Sequence, residues 1–151
     1  MNNVSMKLSE HFSLAEMCKT SANLDNVPNE AQVENLKRLC GWLEMLRSEW
    51  NKRYGEGNDP IIINSGFRSE AVNKAVGGVK GSNHLSGCAA DIRVAGMEQL
   101  IRYATILLDI SDESQEDFDE LLLERSPKGN YWLHFAVRPS GNRRKVRLIQ
   151  T

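Results

Sequence analysis

Two imidazoles and a carboxylate carry the chemistry of this chain. His84 and Asp91 stand in Ser82-Asn83-His84-Leu85-Ser86-Gly87-Cys88-Ala89-Ala90-Asp91, and His134 stands in Trp132-Leu133-His134. Three protein ligands of these types, with a fourth position left open, form the donor set of a catalytic zinc ion, and a zinc held in this way suits hydrolysis. His11, His84 and His134 are the only histidines, so a site that uses two of them is selective. His84 lies in a polar loop where a core role is a poor explanation. Gly87 would let that loop turn tightly enough for Asp91 to close on the same ion. His11 is assigned to packing or capping.

The positioning elements follow from spacing. Ser13-Leu14-Ala15-Glu16 is a capping box that starts a short helix, with Phe12 as its staple. Beyond Pro28, Val33, Leu36, Leu39, Leu43, Leu46 and Trp50 recur at helical spacing, and Gly55 and Gly57 end the run. Ile61-Ile62-Ile63-Asn64 reads as a short buried strand, and a short helix runs from Ser69 towards Val76. In the strand Ala89 to Val94, alternation puts Ala89, Asp91 and Arg93 on one face and Ala90, Ile92 and Val94 on the other. Met97 to Ile110 is helical, and the acidic stretch Ser111 to Asp117 is expected as a solvated loop. Leu121 to Leu123 and Trp132 to Arg138 are strands, the second burying Leu133, Phe135 and Val137 and turning Trp132, His134 and Ala136 the other way. After the turn at 139–142, Lys145 to Ile149 returns as a partner strand.

The mixture lacks a regular β-α-β alternation, so the expected fold is α+β, a small, largely antiparallel sheet flanked by helices. At 151 residues, 40% hydrophobic and 26% charged, the chain is expected to form a single domain over 1–151. A net charge of −1 gives no global reason to expect nucleic acid as a partner. Cys18, Cys40 and Cys88 form no Cys-x-x-Cys unit and are expected as reduced, mostly buried thiols. No signal peptide or membrane-spanning run is read, so cytoplasmic synthesis is expected, with any action on a cell wall following lysis or a separate export route.

These residues resemble the zinc D-alanyl-D-alanine carboxypeptidases and L-alanyl-D-glutamate endopeptidases that cut bacterial cell-wall peptides, whose fold also occurs in the Hedgehog signalling domain. Ser82, His84, Gly87, Ala89 and Asp91 match the family's Ser-x-His-x-x-Gly-x-Ala-x-Asp pattern. Ser65-Gly66-Phe67-Arg68-Ser69 matches its Ser-Gly-x-Arg-Ser element, and Trp132 and His134 match Trp-x-His. The likeness runs from Leu8 to the Asn142-Arg143 turn.

The resemblance implies Zn2+ held by His84, Asp91 and His134, and a carboxylate that moves the proton from water to the leaving amine. One branch places that acid three residues before the last histidine, where this chain has Tyr131. Another ends the preceding strand with it, in Phe-Asp-Gln-Leu-Ile-x-Glu, which Phe118-Asp119-Glu120-Leu121-Leu122-Leu123-Glu124 resembles with Glu120 in place of glutamine. Glu124 is therefore the expected base, weighed against a strand-end carboxylate paired with Arg125, and Asp119 and Glu120 are the fallbacks.

Arg68 is expected to grip a substrate carboxylate or stabilise an oxyanion. Ser82 would bind the peptide or cap its loop, and Trp132 would wall the cleft or pack. The basic tail of Arg138, Arg143, Arg144, Lys145 and Arg147 fits an edge strand protected by cations at least as well as a contact with anionic polymer.

The expected activity is a zinc metallopeptidase, a carboxypeptidase or endopeptidase on peptidoglycan stem peptides, compatible with a phage or prophage lysin. The alternative is a non-catalytic zinc module, with Tyr131 marking loss of the acid, that binds a peptide or protein partner.

Overall fold

A computed structural model describes residues 6–151. The order of elements is α1 (Leu14–Met17), α2 (Glu30–Arg53), β1 (Ile63–Ser65), α3 (Glu70–Ala75), β2 (Ala89–Arg93), α4 (Met97–Ser114), β3 (Glu120–Arg125), β4 (Tyr131–Ala136) and β5 (Lys145–Gln150). The five strands form one sheet in the order β1-β2-β4-β3-β5, antiparallel at every pairing except the parallel β3–β5 pair. This is the expected α+β class with a mostly antiparallel sheet.

Local chemistry explains the boundaries. The Ser13 side chain accepts from the Glu16 N–H at the start of α1. Asn29 and Gln32 form a reciprocal capping box at the start of α2, and Ser69 caps α3 through the Val72 N–H. One face of α2 buries Leu36, Leu39, Leu43, Leu46 and Trp50 against the sheet. Trp42 packs on Phe118 and Phe135 with ring centroids 6.5 and 5.5 Å away, within the range for favourable aromatic pairs. Leu100, Tyr103, Ile106, Leu107 and Ile110 of α4 complete the layer. Ala90, Ile92, Leu121, Leu133 and Phe135 point into this core, so the alternate residues of β2, β3 and β4 occupy the opposite face.

Three expectations change. The stretch from Ser111 does not begin as a solvated loop: α4 continues to Ser114 and closes on Gln115 in the left-handed conformation. Ser111 is buried, its hydroxyl donating to the Glu116 carbonyl and accepting from Arg144 Nη1, while Asp112 on the exposed side pairs with Arg144 Nη2. The final strand does not fold back on β4. It crosses to the far side of β3 and pairs with it in parallel, anchored where the Arg144 N–H donates to the Phe118 carbonyl. His11 is exposed rather than packed, and its Nδ1 lies 2.7 Å from Glu44 Oε1, tying the N-terminal segment to α2. Cys40 and Cys88 are buried, Cys18 partly so, and all three are free thiols.

Candidate metal centre

The strand register brings the candidate residues together. Asp91 on β2 stands opposite His134 on β4, and His134 stands opposite Leu122 on β3. In the adjoining rows, Arg93, Trp132 and Glu124 are neighbours, as are Ala89, Ala136 and Glu120. All of these side chains share the face away from the helices. His84 reaches the same face from the short 3₁₀ turn Asn83–Ser86 that leads into β2.

That turn is built locally. The Ser82 side chain caps it by accepting from the His84 N–H at 3.2 Å. Gly87 ends it at φ +78°, and a Cβ there would stand 2.6 Å from the Gln32 carbonyl oxygen of α2. Only glycine fits both the backbone conformation and the close approach of the helix. Gln32 and Asn35 of α2 donate to the Leu85 and Ser86 carbonyls, so the helix holds the turn from behind.

One ligand atom each from His84, Asp91 and His134 lies within 4.8 Å of the others. Asp91 Oδ1 is 3.4 Å from His84 Nε2 and 3.1 Å from His134 Nδ1. Each imidazole has its other nitrogen engaged. His84 Nδ1 lies 2.7 Å from the Gly66 carbonyl oxygen and therefore donates to it, which leaves Nε2 as the acceptor that faces the centre. His134 Nε2 lies 2.9 Å from Glu120 Oε1. Two imidazole nitrogens and one carboxylate oxygen, each oriented by a partner, are a donor set that fits zinc.

The electrostatics agree with this convergence. Burial would raise the Asp91 carboxyl, but hydrogen bonds with His134 and His84 outweigh it and hold the group well below the usual carboxylate range. Burial would lower the His134 imidazole, yet Asp91 and Glu120 raise it to about 9. A cation arriving at the centre therefore displaces a proton.

Arg68 lies beside Asp91. Its Nη2 donates to Asp91 Oδ2 at 3.1 Å, Nε to Ser65 Oγ at 3.0 Å and Nη1 to Asn73 Oδ1 at 3.2 Å. The guanidinium thus holds the metal-facing carboxylate from behind, and two of its five N–H groups are left for another acceptor.

Glu124, the expected base, is half-buried on the same face and accepts from Trp132 Nε1 at 3.1 Å, so the indole fixes the carboxylate and the alternative pairing with Arg125 does not form. Burial pushes Glu124 above its ordinary range, and the charge of Asp91 adds to this against the opposing effect of His134. Tyr131 takes no part. An odd spacing along a regular strand turns it away from His134, and it packs against the core under the Arg125 guanidinium.

Sequence reasoning missed the hub that joins these parts. Asn83 Nδ2 donates to Asp119 Oδ2 at 2.8 Å and to Glu120 Oε1 at 2.7 Å, while its Oδ1 accepts from Arg138 Nε at 2.9 Å. Asp119 is fully buried and accepts from the Arg143 backbone and from Arg143 Nε and Nη2, with Arg138 Nε 3.2 Å away. Burial would raise Asp119, but these partners bring it down to about 2. Asp119 faces this cluster and not the metal centre. The placement of Asn83 directly before His84 was the one available signal, and its partners lie 36 to 55 positions further along the chain.

The model of the family described as Peptidase M15 matches residues 10–111, a stretch that includes His84 and Asp91 and stops before Glu120, Glu124 and His134. The chain belongs to the peptidase M15 family. A stretch of 40 residues is 48% identical to the zinc D-Ala-D-Ala carboxypeptidase of Streptomyces albus G, covering 26% of this chain and 16% of that protein. No helix among the described residues is long and apolar enough to cross a membrane.

Proposed function

We propose that this chain is a zinc metallopeptidase that hydrolyses peptide bonds in bacterial peptidoglycan, of the D,D-carboxypeptidase or L-Ala-D-Glu endopeptidase type. The observation that carries the reading is the convergence of His84 Nε2, Asp91 Oδ1 and His134 Nδ1 on a sheet face where Glu124 stands one strand away. Family membership and the similarity to a zinc D-Ala-D-Ala carboxypeptidase support it.

When bound, zinc acidifies water and polarises the scissile carbonyl. Glu124 is the group placed to take the proton at its free carboxylate oxygen and return it to the leaving amine. A carboxyl raised by burial exchanges protons closer to neutral pH than an exposed one. Trp132 holds that carboxylate through its indole N–H and walls the cleft. Arg68 fixes Asp91 and turns its remaining N–H groups towards a substrate oxygen. Ser82 caps the His84 turn, so its hydroxyl proton is free to meet the peptide.

The non-catalytic alternative loses its main argument, because Tyr131 lies on the wrong face to replace a catalytic acid. Release by lysis, as for a phage lysin, is a further proposal that fits a wall substrate.

The test is to incubate the zinc-loaded protein with purified peptidoglycan, with a chelated control, and to identify released fragments by mass spectrometry. Chelator-sensitive products are expected, and their new termini name the bond. Zinc uptake without products from several wall chemotypes would establish the binding module instead.

A further inference from the structure

We propose that Glu120 is a positioning residue for the metal ligand His134, binding the proton on Nε2 so that Nδ1 is the nitrogen presented to zinc. This rests on the zinc reading above and extends it to the shell behind the ligands. The geometry is specific. Glu120 Oε1 is 2.9 Å from His134 Nε2, whereas Asp91 Oδ1 lies on the opposite side of the ring, 3.1 Å from Nδ1. Glu120 is not free to move: Asn83 Nδ2 donates to the same oxygen at 2.7 Å, and Arg143 Nη2 lies 3.7 Å from its other oxygen.

The two histidines are consequently backed in different ways. His84 leans on the neutral Gly66 carbonyl, and His134 leans on a carboxylate, which strengthens the donor character of an imidazole more than a carbonyl does. Because Asn83 immediately precedes His84, one amide ties the orientation of both ligands together. Glutamine at position 120 would keep an acceptor for Nε2 and lose the charge.

Zinc dissociation constants for the unmodified protein, Glu120→Leu and Glu120→Gln, measured by competition with a chromophoric chelator, test this. Glu120→Leu is expected to weaken binding about 10–100-fold and Glu120→Gln to recover most of that loss. Long-range 1H–15N spectra of the unmodified zinc-loaded protein are expected to show His134 protonated at Nε2, a readout that stands even if the leucine variant does not fold. Unchanged zinc affinity in a folded Glu120→Leu, or a proton on Nδ1, overturns the proposal. Cleavage lost with affinity unchanged would make Glu120 a proton-transfer group instead. An unmodified protein that takes up no zinc would sink the zinc reading itself.

The parallel pairing of β5 points to a second site, for a carboxylate of the substrate. Lys145, Arg147 and Ile149 lie beside Glu120, Leu122 and Glu124, which places the two cations on the metal-facing side of the sheet. Asp91, His134, Leu122 and Arg147 form one row across four strands, so Arg147 stands two strand spacings from His134, about 10 Å. The other basic residues of the tail are used internally: Arg138 and Arg143 on Asp119, and Arg144 on Asp112. Among the described residues no carboxylate pairs with Lys145 or Arg147; Arg147 is exposed, and its Nη1 donates to the neighbouring Val146 carbonyl at 2.9 Å, a contact that leaves its charge without a counter-ion. A peptide with its scissile bond at the centre would reach these cations with an acidic group one or two residues away.

Binding, measured apart from cleavage, tests this. Affinities of a wall stem peptide and of its carboxamide form would be compared for the zinc-loaded protein and for Arg147→Ala. The free-acid form is expected to bind roughly 2–5-fold tighter to the unmodified protein, in line with one exposed charged contact, and the preference is expected to vanish in Arg147→Ala. Equal affinity of both peptides for the unmodified protein, or a preference that survives Arg147→Ala, overturns the site. Charge-dependent binding, with no cleavage of this peptide or of several wall chemotypes, would refute the peptidase reading and leave this one standing.

Discussion

Arg68 Nη2 holds Asp91 Oδ2 at 3.1 Å while the other oxygen of the same carboxylate faces both imidazoles. The two oxygens of Asp91 thus have separate tasks, one facing the metal position and one fixed by a planar donor. Arg68→Ala should release the carboxylate and weaken zinc binding about 10–100-fold. Arg68→Lys should recover only part of this, because an ammonium cannot reach Ser65, Asn73 and Asp91 from a single plane. Chelator competition measures both.

Glu124→Gln should lower kcat about 10²–10⁴-fold with zinc content unchanged, the range expected for loss of a general acid–base group. Trp132→Phe should act through the same carboxylate and cost less, since it removes one hydrogen bond and keeps the ring. Metal analysis beside steady-state kinetics separates these effects. An active Glu124→Gln would move the base elsewhere.

Asp119 sets an acid limit on folding. Its carboxyl sits at about 2 in the folded protein and near 3.8 when free, so its contribution is fully present above the free value and is lost as pH falls from about 4 towards 2. Asp119→Asn should be less stable than the unmodified protein at pH 7 and lose less further stability across that acid window. Urea titrations at a series of pH values check the slope.

Zinc should raise the thermal midpoint, because the three donors meet only in the folded chain. At free zinc a hundredfold above the dissociation constant, the gain is about 2.7 kcal/mol. A chelator should remove it, and His134→Ala should respond far less to added zinc in differential scanning calorimetry.

Gly87→Ala should destabilise the fold and weaken zinc binding together, since the added methyl would press the His84 turn off α2. A loss of stability with native zinc affinity would mean that the turn relaxes without moving His84.

Much of this arrangement was legible because it depends on local pattern. The Ser13 cap, the apolar stripe of α2 and the alternation of β2 and β4 each act within a few residues, and together they put Asp91 and His134 on one face. What could not be read depends on distant partners. Nothing near Lys145 says that its strand will cross β3 and run parallel. The acidic residues after Ile110 look like a loop until Arg144 arrives to satisfy Ser111 and Asp112. The family pattern marks Glu124 among the neighbouring carboxylates Asp119, Glu120 and Glu124, but only the strand register and the reach of Asn83 separate a partner of His134, a partner of Trp132 and a buried anchor for two arginines.

The crossing of the C-terminal segment over β3 also sets an order of events during synthesis. The buried carboxylate of Asp119 has no arginine until residues 138 and 143 have been made, and the Asn83 side chain that spans Asp119 and Glu120 lacks its Arg138 partner until then. A nascent chain that has already delivered His84, Asp91 and His134 still holds an uncompensated charge beneath them. The metal-binding face should therefore mature late, on emergence of the final strand, and a chain cut before Arg138 should remain sensitive to proteases even when zinc is plentiful.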